Sequence, residues 1–141
     1  MGAKLIFFIE FGGSLFTDYK GINPYCTAYF VFLSRKRLDF SMKIIIAGAG
    51  EVGFHLAKLL SFESQDITLI DTNRDSLNYA DTHLDIRVIR GDATSIAVLK
   101  EAQIGKTDLV IGVTSSETTN ITACVLAKQL GAKRTIARIA N

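Results

Sequence analysis

From Met42 to Asn141, short apolar runs alternate with segments whose apolar residues recur every three or four positions. The runs at 43–47, 67–70, 86–90, 108–112 and 134–138 have the length of buried strands, and helical spacing predicts helices over 51–62, about 73–81, 95–102 and 117–130. In the first helix Val52, Leu56, Leu59 and Leu60 are expected to face a sheet, with His55 beside them. Strict alternation of strand and helix with short connections is the pattern of a parallel sheet covered on both faces. Right-handed crossovers then predict a doubly wound α/β fold, its five strands in the order 3-2-1-4-5 and truncated before a sixth, which is missing or supplied elsewhere. The ligand crevice of such a sheet lies between strands 1 and 4 at their carboxyl ends.

Residues 1–41 break this rhythm. Lys4 precedes only Leu5-Ile6-Phe7-Phe8-Ile9 before Glu10 interrupts, with no small-residue cleavage site after it, so the segment does not read as a signal peptide. Its longest charge-free stretch, Gly21 to Ser34, contains Asn23 and Pro24 and is too short to cross a bilayer. Met42 opens the ordered pattern abruptly, as a native initiator would. Residues 1–41 are therefore expected to be an upstream extension without a stable domain of its own, and 42–141 a single folded domain.

A chain of 141 residues with 48% hydrophobic content fits one domain with an ample core. The net charge of +2 comes from the extension, because acids and bases balance from Met42 onward, so no basic footprint for nucleic acid is present. Cys26 and Cys124 lack the spacing of a metal site or redox pair, and Cys124 lies on a helical apolar pattern as a core thiol. Neither His55 nor His83, the latter in a polar turn, has the positioned partner that acid–base chemistry needs.

The chemistry sits where the first strand ends. Lys43-Ile44-Ile45-Ile46-Ala47 runs straight into Gly48-Ala49-Gly50-Glu51-Val52-Gly53, the Gly-x-Gly-x-x-Gly of a Rossmann-type turn. Gly48 permits the turn, Gly50 lets backbone approach a pyrophosphate, and Gly53 lets the helix pack close, its first amides facing the phosphates. Asp71 closes the second strand at the distance expected of a ribose-binding carboxylate, whose charge repels a 2′-phosphate and favours NAD over NADP. The competing role for Asp71, Thr72 or Asn73 is to cap the next helix. Arg74 could lie over adenine or meet a phosphate.

After the third strand, Gly91-Asp92-Ala93-Thr94 would pass beside the adenine, with Asp92 accepting from its amino group or capping the helix that follows. After the fourth, Thr114 and Ser115 offer hydroxyl and amide donors to ribose or phosphate, Ser116-Glu117 reads as a helix start, and Asn120 could point back to the crevice. Arg138, at the end of the fifth strand, could reach a phosphate.

Together, the glycine run, Leu69-Ile70-Asp71, Gly91-Asp92-Ala93-Thr94, Val113-Thr114-Ser115-Ser116-Glu117-Thr118-Thr119-Asn120 and Ala137-Arg138-Ile139 closely resemble the TrkA-type regulators of potassium uptake. More broadly, they resemble the amino-terminal nucleotide-binding half of the RCK, or KTN, domains. The resemblance covers nearly all of 42–141. It implies a cytoplasmic regulatory subunit, peripheral on the inner face of the membrane, that binds NAD(H), or in relatives ATP or ADP. It also implies a membrane-embedded potassium transporter as partner and a homo-oligomer in the longer regulators. By the matching motifs, Gly48, Ala49, Gly50, Glu51 and Val52 would hold the pyrophosphate, Asp71 the ribose, Asp92 the adenine side, Thr114 and Ser115 the central part and Arg138 a phosphate. Thr72, Arg74 and Ala93 complete the candidate set. The alternative, a small NAD-dependent oxidoreductase fragment, lacks a substrate domain and a paired histidine or Ser-Tyr-Lys arrangement.

Overall fold

The computed structural model describes the backbone of residues 6–10 and 41–140. Eleven elements follow in order: β1 (Ile6–Glu10), β2 (Lys43–Ala47), α1 (Glu51–Phe62), β3 (Asp66–Asp71), α2 (Arg74–His83), β4 (Arg87–Arg90), α3 (Ile96–Glu101), a 3-10 turn (Ile104–Lys106), β5 (Leu109–Gly112), α4 (Glu117–Gln129) and β6 (Arg134–Ala140). The five strands from Lys43 onward pair in parallel as β4-β3-β2-β5-β6, the 3-2-1-4-5 order read from the sequence.

The sheet continues beyond β6, where the sequence left a sixth strand missing or supplied elsewhere. Ile6–Glu10, from the segment taken as an extension, adds a sixth strand antiparallel to β6, from Ile6 opposite Ala140 to Glu10 opposite Ile136. An aromatic and β-branched run is a natural partner for an otherwise unpaired sheet edge. The rest of the extension, residues 1–5 and 11–40, lies outside the described residues.

The central strands are apolar along their length because both faces are covered. Every residue of β2 after Lys43 is buried, as are all of β5 and the inner four of β3. Alternation along each strand divides the core in two. Ile44, Ile46, Leu69 and Ile111 meet Leu56, Leu60 and Leu77 of α1 and α2 on one face. On the other, Ile45, Ile70 and Val110 meet Leu99, Ala123 and Ala127 of α3 and α4. Burying each large aliphatic side chain contributes about 1.5–3 kcal/mol.

Three local readings shift. Leu56 and Leu60 of α1 face the sheet as expected, with Val52 half-buried against the same core; Gly53 and Ala57 join them because small residues let the helix lie close, and Leu59 is only half-buried. Helix α2 continues through His83, which is its last residue and not part of a turn; the His83 ring stacks on Tyr79 with centroids 4.1 Å apart, and Tyr79 in turn meets Phe54 of α1. Strand β6 runs to Ala140, so Arg138 sits within it.

The amino-terminal ends of the strands are clasped by Asp108. One carboxylate oxygen accepts the Lys43 amide at 3.0 Å and the other the Lys133 ammonium at 2.7 Å, which joins the approaches to β2, β5 and β6. Those bonds, the Lys133 one foremost, hold the Asp108 carboxyl below its usual range.

Candidate functional site

The register places the candidate residues along one edge. Ala47 lies opposite Ile70 on one side and Gly112 on the other, Gly112 lies opposite Ala137, and Asp71 opposite Arg90. The glycine turn, Asp71, the Gly91–Thr94 loop, the Thr114–Ser116 turn and Arg138 all follow those positions, at the carboxyl ends where strand order reverses.

The glycine turn is shaped by close backbone approach. Gly48 has φ +115°, and a Cβ there would stand 2.9 Å from the Thr114 amide nitrogen. A Cβ at Gly53 would overlap the Gly48 carbonyl, so α1 starts flush against the turn. Gly50, the N-cap of α1, offers no side chain to the first amides of that helix, and Glu51 is exposed in its first turn with Val52 half-buried. The amide cluster is therefore presented outward, with the helix dipole behind it.

Asp71 joins this turn to the next loop. One carboxylate oxygen accepts the Ala49 amide at 2.6 Å and the other the Asn73 amide at 2.7 Å. Capping of α2 falls to Asn73, whose side chain accepts from the Asp75 and Ser76 amides. Asp71 thus braces the crevice while its half-buried carboxylate stays at the rim; Thr72 and Arg74 are exposed beside it.

In the next loop the exposed Asp92 carboxylate accepts from the Thr94 amide at 2.8 Å and its hydroxyl at 2.7 Å, and these bonds lower its pKa. It builds the turn before α3, whose N-cap Ser95 makes no side-chain bond. The Ala93 side chain is packed into the core, which leaves only its backbone to face the crevice.

At the fourth strand end, Ser116 caps α4 by accepting from the Thr119 amide, as its sequence position predicted. The Thr114 donors, however, are turned inward: its amide and hydroxyl lie 2.8 and 2.6 Å from Asn120 Oδ1. Ser115 is exposed and is the outward-facing member of the pair. Asn120 itself points into the protein, bonding Thr114 and the Arg138 carbonyl. The sequence reading missed that role, although a lone carboxamide at helical spacing from Ala123, Cys124 and Ala127 is a readable signal for a buried polar joint. Arg138 is half-buried and by strand alternation shares the α1 face with Ile136.

Backbone amides of this kind suit an anion and carboxylates suit hydroxyls. His55 is exposed on α1, its Nδ1 3.0 Å from the Glu51 carbonyl. The Cys124 thiol is buried with its pKa pushed up to about 12 by desolvation. Among the described residues no cluster of three His, Cys, Asp or Glu could hold a metal, and no helix is long and apolar enough to cross a membrane.

The Trk system potassium uptake protein TrkA of Halomonas elongata is 44% identical over 89 residues, which are 63% of this chain and 20% of that protein. The TrkA homolog of Methanothermobacter thermautotrophicus is 35% identical over 71% of this chain and 46% of its own length. The chain therefore spans less than half of these curated relatives. Among solved structures, the GsuK channel bound to NAD matches with a TM-score of 0.56 at 17% identity, over 75% of this chain and 20% of that one. The Shewanella denitrificans Kef CTD in its AMP-bound form matches at 0.53 and 22% identity, over 62% and 52%. Both are likenesses of fold. The TrkA-N domain model matches residues 44–141, and the chain belongs to the TrkA-N domain family.

Proposed function

We propose that this chain is a nucleotide-sensing module of a potassium-transport regulator, binding NAD(H) at the carboxyl edge of its sheet. The observation that supports the reading is the joint between the glycine turn and Asp71, the Ala49 amide bonded to the carboxylate at 2.6 Å, which brings the turn beside a carboxylate suited to ribose hydroxyls. In this reading Gly50, Glu51 and Val52 present amides to the pyrophosphate, with Gly48 and Ala49 shaping the turn. Asp71 takes the adenosine ribose, flanked by Thr72 and Arg74; Asp92 and the Ala93 backbone line the adenine side; Ser115, with Thr114 behind it, and Arg138 meet the far half. No catalytic residue is assigned: the nucleotide acts as a signal whose differential affinity for two conformations biases an assembled partner. That partner is a membrane-embedded potassium transporter subunit, met at the inner face of the membrane by a homo-oligomer of the longer regulator. The curated relatives are named as Trk potassium uptake proteins, which supports this reading over the oxidoreductase alternative.

Thermal unfolding of the full chain with NAD, NADH, NADP, ATP or ADP tests it. A ligand at 100 times its dissociation constant adds about 2.7 kcal/mol to stability. NAD or NADH is expected to raise the midpoint and NADP to do so less. A response to ATP or ADP alone would replace NAD(H) as the signal, and no response to any nucleotide at millimolar concentration would overturn the reading.

A further inference from the structure

We propose that Asn120 is the positioning residue for the far half of the crevice: its carboxamide locks the Thr114 turn and strand β6 into one unit, so that affinity for the part of a dinucleotide beyond the pyrophosphate depends on it. The inference rests on the nucleotide-binding reading above and assigns a regulator of that site's shape.

Asn120 is 1% exposed, one turn into α4, and sits against the end of β5. The approach is close: a Cβ on Gly112 would lie 3.0 Å from the Asn120 carbonyl oxygen. Oδ1 accepts from the Thr114 amide at 2.8 Å and lies 2.6 Å from the Thr114 hydroxyl. Nδ2 donates to the carbonyls of Thr114 at 3.1 Å and of Arg138 at 2.9 Å. All four hydrogen-bonding positions of the amide are used, and the arrangement settles its orientation, since a flipped amide would set NH₂ against N–H and oxygen against two carbonyls. A buried carboxamide is tolerated only when satisfied in this way.

What it joins matters for a ligand. The Thr114 hydroxyl also lies 3.0 Å from the Ser116 carbonyl and accepts the Ser116 amide at 3.2 Å, so one hydroxyl ties the turn that carries exposed Ser115 to Asn120. The Arg138 carbonyl belongs to the residue that the reading above assigns to the far half. The near half has separate anchors: the Gly48 amide donates to the Ile70 carbonyl at 2.8 Å and the Ala49 amide to Asp71. A dinucleotide spans both halves, whereas AMP needs only the near one.

Calorimetric titration of the full chain with NAD and with AMP tests the assignment. In Asn120→Asp the Nδ2 donor becomes an acceptor facing two carbonyls; NAD affinity is expected to fall at least tenfold while AMP affinity stays within about threefold. Thr114→Val, which deletes the hydroxyl's contacts with Asn120 and with the Ser116 backbone and avoids a buried charge, is expected to weaken NAD severalfold with AMP unchanged, whether or not Asn120→Asp folds. Thr114→Ser, which retains the hydroxyl, should restore wild-type NAD binding. Unchanged NAD affinity in Thr114→Val, or NAD and AMP weakened in equal proportion in both variants, would overturn the assignment while leaving the nucleotide-binding reading intact. Wild-type chain that binds neither ligand would remove that reading, and this one with it.

Discussion

Replacing a glycine inside a helix by alanine ordinarily stabilises it by about 0.5–1 kcal/mol, because alanine loses less backbone entropy on folding. Gly53→Ala is expected to do the reverse. Gly53 is in the first turn of α1 and buried, with its missing Cβ aimed at the preceding turn. An added methyl would overlap the Gly48 carbonyl oxygen, approach the carbonyl carbon to 2.8 Å and touch Val113 Cγ2 at 3.5 Å. The obstructing atoms are backbone and cannot rotate aside, so the whole helix must withdraw from the sheet. Insertion of one methyl group into such a contact typically costs 1–3 kcal/mol, and loosening the Leu56 and Leu60 contacts keeps the net effect well on the destabilising side. For a folded unit of this size, each kcal/mol lowers the unfolding midpoint by about 4–8 °C. Gly50→Ala is the internal control, because φ −70° is open to alanine and nothing lies within 4 Å of the added methyl. Its stability should stay within about 0.5 kcal/mol of the parent, whereas its nucleotide affinity should fall if phosphate rests on that backbone. Circular-dichroism melts of both variants decide the matter. A Gly53→Ala protein as stable as the parent, or more so, would refute the close-approach argument.

Asp71→Ala should weaken NAD at least tenfold, and Asp71→Ser should narrow the preference for NAD over NADP, both read by titration; unchanged binding in both would remove Asp71 from the ribose site. Acid should weaken the clasp at the opposite edge. The folded-state pKa of Asp108 is depressed, so its contribution is present above the ordinary carboxylate pKa near 3.8 and is lost as pH falls through the lower folded value. Urea melts of Asp108→Asn should therefore show less loss of stability than the parent between pH 5 and 2, starting from a lower value at pH 7. With Cys26 replaced by serine, the Cys124 thiol should react with an aromatic disulfide reagent at neutral pH only as fast as the protein opens, since burial and a pKa of about 12 suppress the thiolate; immediate stoichiometric reaction would contradict its burial.

The parallel core was legible because its residues repeat one message: Ile44, Ile45 and Ile46 can only be buried on both sides, and the glycines that follow have a recognised geometry. Helix starts at Asn73 and Ser116 were legible as local chemistry. On α1 the inward Leu56 and Leu60 were legible, but Gly53 and Ala57 were missed because hydrophobicity outweighed size, and small residues bury through close approach. The pairing of Ile6–Glu10 with β6 was missed because a contact spanning most of the chain leaves no local pattern, only a β-prone run without an obvious partner. Thr114 and Asn120 were seen as polar residues near a crevice, but which way a polar side chain points depends on which neighbours are left unsatisfied, and that appears only after β5, α4 and β6 are packed.

Asp71 has a consequence for how cofactor preference can evolve or be engineered. The carboxylate that would discriminate between NAD and NADP also secures Ala49 and Asn73 through both of its oxygens. Selectivity and loop order are carried by one side chain, so the mutational path from one cofactor to the other has no neutral first step. A lineage or a designer seeking a 2′-phosphate site must first supply a substitute acceptor for the Ala49 amide, and only then can a basic residue near Thr72 or Arg74 be recruited.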